Sequence, residues 1–325
     1  MAFWHKAKTK DGWLAMVPAG EGVHAAVVRR TAAPAKPVVL ACAWHPGSME
    51  QLATLLTRIG RELHAGQHHC SSVLPFGAYQ LLSLEAPNVP AAEMKTAVGW
   101  RLKDMIDFPV AEATVDVADI PVNANGPAHN HHVFAVAARN PVIEAHQNLY
   151  AEAKVPLAAI DIGEMAQRNI SALLEPEARG LAMLSFDAGG GLLTVTFQGE
   201  LYLARRMDVT LAQVEGDPEQ RQQYFDRIAL EVQRSLDNFE RQFQYVAVSR
   251  LVLAPTGSDS LHNYLSSNLY LPVDMLDLDT VLDLDKVPDL RDAKAQNGFF
   301  LALGAALRTG DGSGVGAAVG KRAGK

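Results

Sequence analysis

Phe186-Asp-Ala-Gly-Gly-Gly191, followed without a break by Leu192-Leu-Thr-Val-Thr-Phe-Gln-Gly-Glu200, is the stretch on which the fold turns. An apolar run, Leu181 to Phe186, ends in a glycine turn and resumes as a second run, Leu192 to Phe197. A second turn, Gln198-Gly-Glu200, leads into a third, Leu201 to Arg205. Such runs between glycine turns predict three antiparallel strands. Three glycines at one bend also leave bare backbone amides there, where side chains do not shield them.

The same order stands at the start of the chain. Trp13 to Val17 and Val23 to Val28 flank the turn Pro18-Ala-Gly-Glu-Gly22, and a third run covers Val38 to Trp44. A helix capped by Ser48 and Gln51 follows, carrying Leu52, Leu55, Leu56, Ile59 and Leu63 and stopping at Gly66. After the later strands comes a long amphipathic helix with Phe225, Ile228, Ala229, Val232, Leu236, Phe239 and Phe243 on one stripe. Two halves that each open with three strands and then a helix predict a duplicated, two-lobed α/β architecture.

Between the halves the pattern loosens. One helix begins at Pro90 with Met94, Val98, Leu102 and Met105 or Ile106 on its core stripe, and Pro109 prevents its continuation. Short strands are expected at 114–117 and 133–138, around an exposed loop at 123–132. This reads as an α+β subdomain inserted at about residues 70–138. The organisation expected is a basic arm at 1–12, a first lobe at 13–174, a linker at 175–180, a second lobe at 181–308 and a disordered Gly-rich tail at 309–325. Helices are expected around Leu261 to Leu269 and from Phe299 to Arg308.

The 325 residues, 48% of them hydrophobic, suffice for a sizeable core. A net charge of −7 without a long Lys or Arg cluster argues against nucleic acid as a partner. Cys42 and Cys70 are too few for a disulfide framework and fit a reducing compartment as small buried hydrophobes. The N-terminus lacks the apolar stretch of a secretory signal, and Phe299 to Leu307 is under half the roughly 20 residues a membrane span needs. The expected location is cytoplasmic, with any membrane association peripheral; Phe3, Trp4, Lys6, Lys8 and Lys10 read as a solvated terminus before a membrane contact.

Residues 186–200 resemble the second phosphate motif of the actin, Hsp70 and hexokinase superfamily, in which a hairpin turn presents amides to phosphate. Glu231-Val-Gln-Arg-Ser-Leu-Asp237 resembles the EIRRSLDF helix of PilM-like proteins, and Ser249-Arg-Leu-Val-Leu253 resembles the strand that follows it. Phe300-Leu-Ala-Leu-Gly-Ala-Ala-Leu-Arg308 resembles their C-terminal AxALGLALR helix. Ala97-Val-Gly-Trp100 with Ile106-Asp-Phe-Pro109 resembles the AxxWExxxxIPFP segment of their inserted subdomain. The chain thus resembles the PilM and MshI family of type IV pilus assembly, the latter of the MSHA type, within the FtsA-like branch of actin-like ATPases; the cytoplasmic domain of GspL is related. The resemblance implies the two-lobed actin-like fold, with an inserted α+β subdomain in lobe one and a reduced lid in lobe two, where Asp208 to Arg221 leaves no room for a lid domain.

The departures decide the chemistry expected. The first phosphate loop of the family, DIGSSSVK, corresponds to Ala15 through His24, without its Asp or Lys. The adenosine motif becomes Ala254-Pro-Thr-Gly-Ser258, where Pro255 adds a ring and removes an amide. ATP with Mg, if held at all, would lie against Asp187, Gly189, Gly190, Gly191 and Gly257, with Asp187 either positioning a metal-bound water or serving as a turn residue. No catalytic residue is expected, since no Ser, His and Asp set carries a nucleophile elbow. No metal site is expected either. His68-His69-Cys70 and His129-Asn-His131-His132 lack diagnostic spacing, and the acidic series Asp274, Asp277, Asp279, Asp283 and Asp285 lacks the EF-hand offsets and reads as a solvated connection.

The resemblance implies an assembly scaffold whose first lobe and inserted subdomain bind the N-terminal cytoplasmic peptide of a PilN-like bitopic inner-membrane protein, with the pilus assembly ATPase as a further partner. Trp100, surplus to its helix's core stripe, and Phe108 are the partner-binding candidates. The alternatives are a nucleotide-dependent ATPase or switch of the same fold, and a metal sensor built on the histidine loops.

Overall fold

In the computed structural model, residues 10–32, 34–121, 131–256 and 259–310 are described. Gly257, His129, most of the basic arm and nearly all of the C-terminal tail lie outside them.

The chain opens with β1 (Trp13–Ala19), β2 (Gly22–Arg29) and β3 (Val38–Pro46), then α1 (Leu52–Glu62) and β4 (His69–Val73). Next come β5 (Tyr79–Glu85), α2 (Met94–Leu102), β6 (Ala113–Ile120) and β7 (His132–Arg139). The first half ends with α3 (Asn140–Glu152), β8 (Leu157–Asp161) and α4 (Gly163–Ser171). The second runs through β9 (Gly180–Asp187), β10 (Gly190–Phe197), β11 (Glu200–Met207), α5 (Leu211–Glu215) and α6 (Pro218–Gln242). It closes with β12 (Val248–Leu253), α7 (Ser260–Asn268), β13 (Val273–Met275) and α8 (Ala293–Ala306).

Two five-stranded sheets share one plan, β3-β2-β1-β4-β8 and β11-β10-β9-β12-β13. In each, the hairpin strands pair antiparallel and the last three pair parallel. Strand alternation sends Leu14, Met16, Ala25 and Val27 to the side of α1 and α3, and Trp13, Ala15, Val17, Ala26 and Val28 to the opposite core with α8. The second sheet places Leu193 and Val195 against α6, and Leu181 and Met183 in the core shared with α8.

The last helices exchange lobes: α8 packs on β1, β2 and β4, whereas α4 packs on β9, β10 and β11. They cross each other so closely that a Cβ on Gly304 would stand 2.2 Å from the Ala166 carbonyl oxygen. Buried Gln167 of α4 fastens the second sheet, its amide donating to the Met183 and Leu192 carbonyls and to Thr194 Oγ1 while accepting from the Ser185 hydroxyl.

Three sequence expectations change, and one open alternative is decided. β4, read as the start of the inserted subdomain, pairs with β1 and β8 and is the fourth strand of the first sheet, so the three-stranded insert β5-β7-β6 begins at Tyr79. Met105 is exposed while Ile106 packs into the insert's core. α8 starts at Ala293, six residues ahead of Phe299. The acidic connection at 274–285 is not simply solvated, because the alternating Leu276, Leu278, Leu282 and Leu284 are buried beneath α8.

The insert packs α2 on one face of its sheet through Leu84, Val98, Leu102, Val117 and Val133. From its other face, Phe134 and Ile120 join the second lobe's core, and the Tyr245 hydroxyl donates to the Pro121 carbonyl at 3.0 Å. It therefore touches both lobes.

Candidate functional site

Ligands of α/β sheets gather at the carboxyl ends of parallel strands. Here Phe76, in the loop leaving β4, meets Gly189 of the turn after β9, and the first turns of α8 reach the ends of β9 and β12. Asn297 of α8 donates to the Pro255 carbonyl at 2.6 Å and to that of Phe186 at 3.4 Å, holding two of those ends together.

The β9–β10 turn is satisfied from within. Asp187 Oδ1 accepts the Gly189 N–H at 2.7 Å, so the carboxylate closes its own turn and engages one of its amides. Gly190 has φ +132°, and a Cβ there would meet the Met207 carbonyl oxygen at 2.5 Å. At Gly191 it would lie 2.8 Å from the Phe186 ring. Local packing is thus reason enough for both glycines.

Above the turn sits Phe76, from the loop after β4. A Cβ on Gly189 would be 3.5 Å from Phe76 Cβ, ordinary contact distance. Behind Phe76, the Arg206 guanidinium of β11 lies 4.6 Å from its ring centre. The same guanidinium donates through Nε to Glu164 Oε1 at 3.0 Å and through Nη2 to the Tyr79 hydroxyl at 3.2 Å. Tyr79 in turn donates to Glu164 Oε2 at 2.5 Å. Glu164 is only 2% exposed. Burial, followed by the Glu164 charge, pushes the Tyr79 phenol far above its ordinary value, so it stays a donor.

The opposing β1–β2 turn is built differently. Gly22 has φ +148° and approaches β3 so closely that a Cβ would stand 2.2 Å from the His45 carbonyl oxygen. His24, two residues on, stacks on Trp44 at 4.0 Å and meets Phe299 edge-on at 5.0 Å. Burial lowers its pKa to about 4, leaving it neutral near pH 7. A neutral imidazole inside an aromatic sandwich does not supply the cation of a phosphate loop.

On the insert, Trp100 is 74% exposed on the outer face of α2. Phe108, the other partner-binding candidate, lies in the insert's core instead: it is 8% exposed, packs with Val98 and Leu102, and is stacked by Arg139 at 4.5 Å. The histidine motifs separate. His68 Nδ1 bonds the Asp11 carbonyl, His69 packs by Trp13, and His131 pairs with Asp119. Among the described residues no three His, Cys, Asp or Glu side chains converge as metal ligands. Burial raises the Cys42 and Cys70 thiols to about 12, far from the reactive range.

Two arrangements escaped the sequence reading. Arg206 and Phe76 meet across the lobes, and a cation on a strand gives no hint of that. Ser72 and His146 also form a nucleophile-like pair, with Nε2 2.8 Å from Oγ. Ser72 is fully buried, accepts from Tyr150 at 2.6 Å and donates to the Met16 carbonyl at 3.0 Å, so it is locked away from any substrate.

Comparison with protein-family models finds no match, and no curated protein matches. Among solved structures, one described as a "PilM-PilN type IV pilus biogenesis complex" superposes with a TM-score of 0.72 at 18% identity, covering 93% of this chain and 98% of that one. A Bacteroides thetaiotaomicron protein with an actin-like ATPase fold and unknown function covers 90% of this chain and 99% of its own at 12% identity, with a TM-score of 0.47. The cytoplasmic domain of EpsL, an inner-membrane component of the Vibrio cholerae type II secretion system, covers 60% and 71% at 14% identity and 0.40. Similarity at that level adds nothing to the argument. Among the described residues no helix is long and apolar enough to cross a membrane. With its duplicated sheets and exchanged helices, the chain has the two-lobed actin-like fold, shared along nearly its whole length with the PilM–PilN structure.

Proposed function

We propose that this chain is a cytoplasmic scaffold of a type IV pilus assembly platform, and that it binds the N-terminal cytoplasmic segment of a PilN-like bitopic inner-membrane protein through its inserted subdomain. The observation that carries the reading is Trp100: a large aromatic 74% exposed on the insert of a chain whose fold is that of a PilM–PilN complex. Exposed aromatics are where interface energy concentrates. Peripheral recruitment to the inner membrane follows from such a partner. The MSHA subtype and a contact with the assembly ATPase belong to the same reading.

The cleft supports binding over catalysis. An ATP phosphate at the β9–β10 turn would compete with Asp187 for the Gly189 amide and would lie close to Phe76. This pairing, and the amide missing at Pro255, support the reading that the chain works without a bound nucleotide.

The experiment titrates the partner's N-terminal peptide against wild-type and Trp100→Ala protein, with Mg-ATP added in a separate thermal scan. Trp100→Ala weakens the peptide by about 1–3 kcal/mol, roughly 5- to 150-fold, with the fold intact. Unchanged affinity removes Trp100 from the site. A shift of many degrees at millimolar Mg-ATP favours a nucleotide switch instead.

A further inference from the structure

We infer that Arg206, Glu164, Tyr79 and Phe76 form a latch that holds the inter-lobe cleft closed by side chains alone, with the half-exposed Phe76 lying against Gly189 of the β9–β10 turn. Each member comes from a different element. Arg206 stands on β11 of the second lobe, and Glu164 at the first turn of α4, which runs beneath the second sheet. Tyr79 begins the insert's first strand, and Phe76 lies in the loop leaving β4. One guanidinium joins them, with two hydrogen bonds and a ring contact.

The bonding scheme is closed. Both Glu164 oxygens are engaged, one by Arg206 Nε and the other by the Tyr79 hydroxyl, and that hydroxyl also accepts from Arg206 Nη2. Gly163 is bare for this purpose, since a Cβ there would stand 2.8 Å from Arg206 Nη2. A largely buried cluster in which both carboxylate oxygens are engaged favours one arrangement of the parts it joins, because a displaced member leaves the Glu164 charge buried without its partner. Opening the cleft at the turn moves Phe76 away from Gly189 and strips Arg206 of its ring. Lobe closure is therefore a standing property of this chain, set by Arg206.

The contact between Phe76 and Gly189 supplies its own probe. Their Cβ positions are 3.5 Å apart, within disulfide range, and Gly189 has no positive φ to penalise a side chain. Burial keeps Cys42 and Cys70 from competing. In the Phe76→Cys/Gly189→Cys protein a disulfide forms readily on mild oxidation, while Arg206, Glu164 and Tyr79 remain paired. Adding Arg206→Ala slows cross-linking by about tenfold or more, and Tyr79→Phe slows it less. In the protein without cysteine substitutions, Arg206→Ala raises hydrogen exchange across 74–79 and 187–190. Equal cross-linking rates with and without Arg206 overturn the latch, as does failure of the cysteine pair to cross-link at all. Where Arg206→Ala does not fold, Arg206→Lys and Tyr79→Phe take its place, and equal rates in both likewise overturn it.

Discussion

The two five-stranded sheets have the same strand order and the same parallel and antiparallel pairing, yet they are elaborated in opposite ways. The first lobe interrupts its plan between β4 and α3 with a complete small domain that owns a sheet, a helix and a core. The second places only the short α5 between β11 and α6. The turns diverge in parallel. The β9–β10 turn keeps its three glycines, Gly189 bonded to Asp187 and beside Phe76 and the other two packed on Met207 and Phe186, whereas the β1–β2 turn has become an aromatic and imidazole packing site. A duplicated frame thus leaves each copy free to specialise, provided that the surfaces joining the copies stay fixed.

The surface that joins them is the place to break the comparison first. Gly304→Ala forces a methyl group against the Ala166 carbonyl, a backbone atom that cannot swing aside. The expected loss is about 1–3 kcal/mol by urea denaturation. Both lobes then lose protection together; loss confined to one lobe would show that the crossing is local.

A second effect separates the two turns by pH. His24 is held at about 4 in the folded protein, against an ordinary value of 6.5. Between these values the unfolded chain binds a proton that the folded chain refuses, so stability rises with pH in that window. Stability is complete above about pH 6.5 and declines as the pH falls toward 4. His24→Phe flattens that part of the pH profile, and an unchanged slope would place the effect elsewhere.

The smallest expected change is at the other turn. Asp187→Ala removes one exposed hydrogen bond, to Gly189, and costs about 1 kcal/mol or less. Partner binding is unaffected. Lost pilus assembly at normal protein abundance would return Asp187 to a chemical role.

Much of this frame was legible because its signals are local. Glycine turns between apolar runs mark the hairpins, and the i, i+3, i+4 stripe from Phe225 to Phe243 marks α6. The membership of β4 was not, since a strand of five residues says nothing about which distant strands it pairs with. At 274–285 the aspartates drew attention, while the alternating leucines between them held the true signal of burial. At the candidate site the glycine turn was readable but its occupant was not. Phe76 is an isolated aromatic behind Pro75, and its partners lie more than a hundred residues away. Trp100 was readable for the opposite reason, being an aromatic left over once Val98 and Leu102 had claimed the helix's buried side.

The exchange of α4 and α8 between lobes also orders events at the ribosome. The face of the first sheet that bears Trp13, Ala15, Val17, Ala26 and Val28 is made long before the helix that covers it, which spans Ala293–Ala306. Synthesis proceeds at about 5–20 residues per second, so that face waits many seconds without its cover. The first lobe cannot mature as it emerges, and a nascent chain stalled before α8 presents a broad apolar sheet to chaperones and proteases.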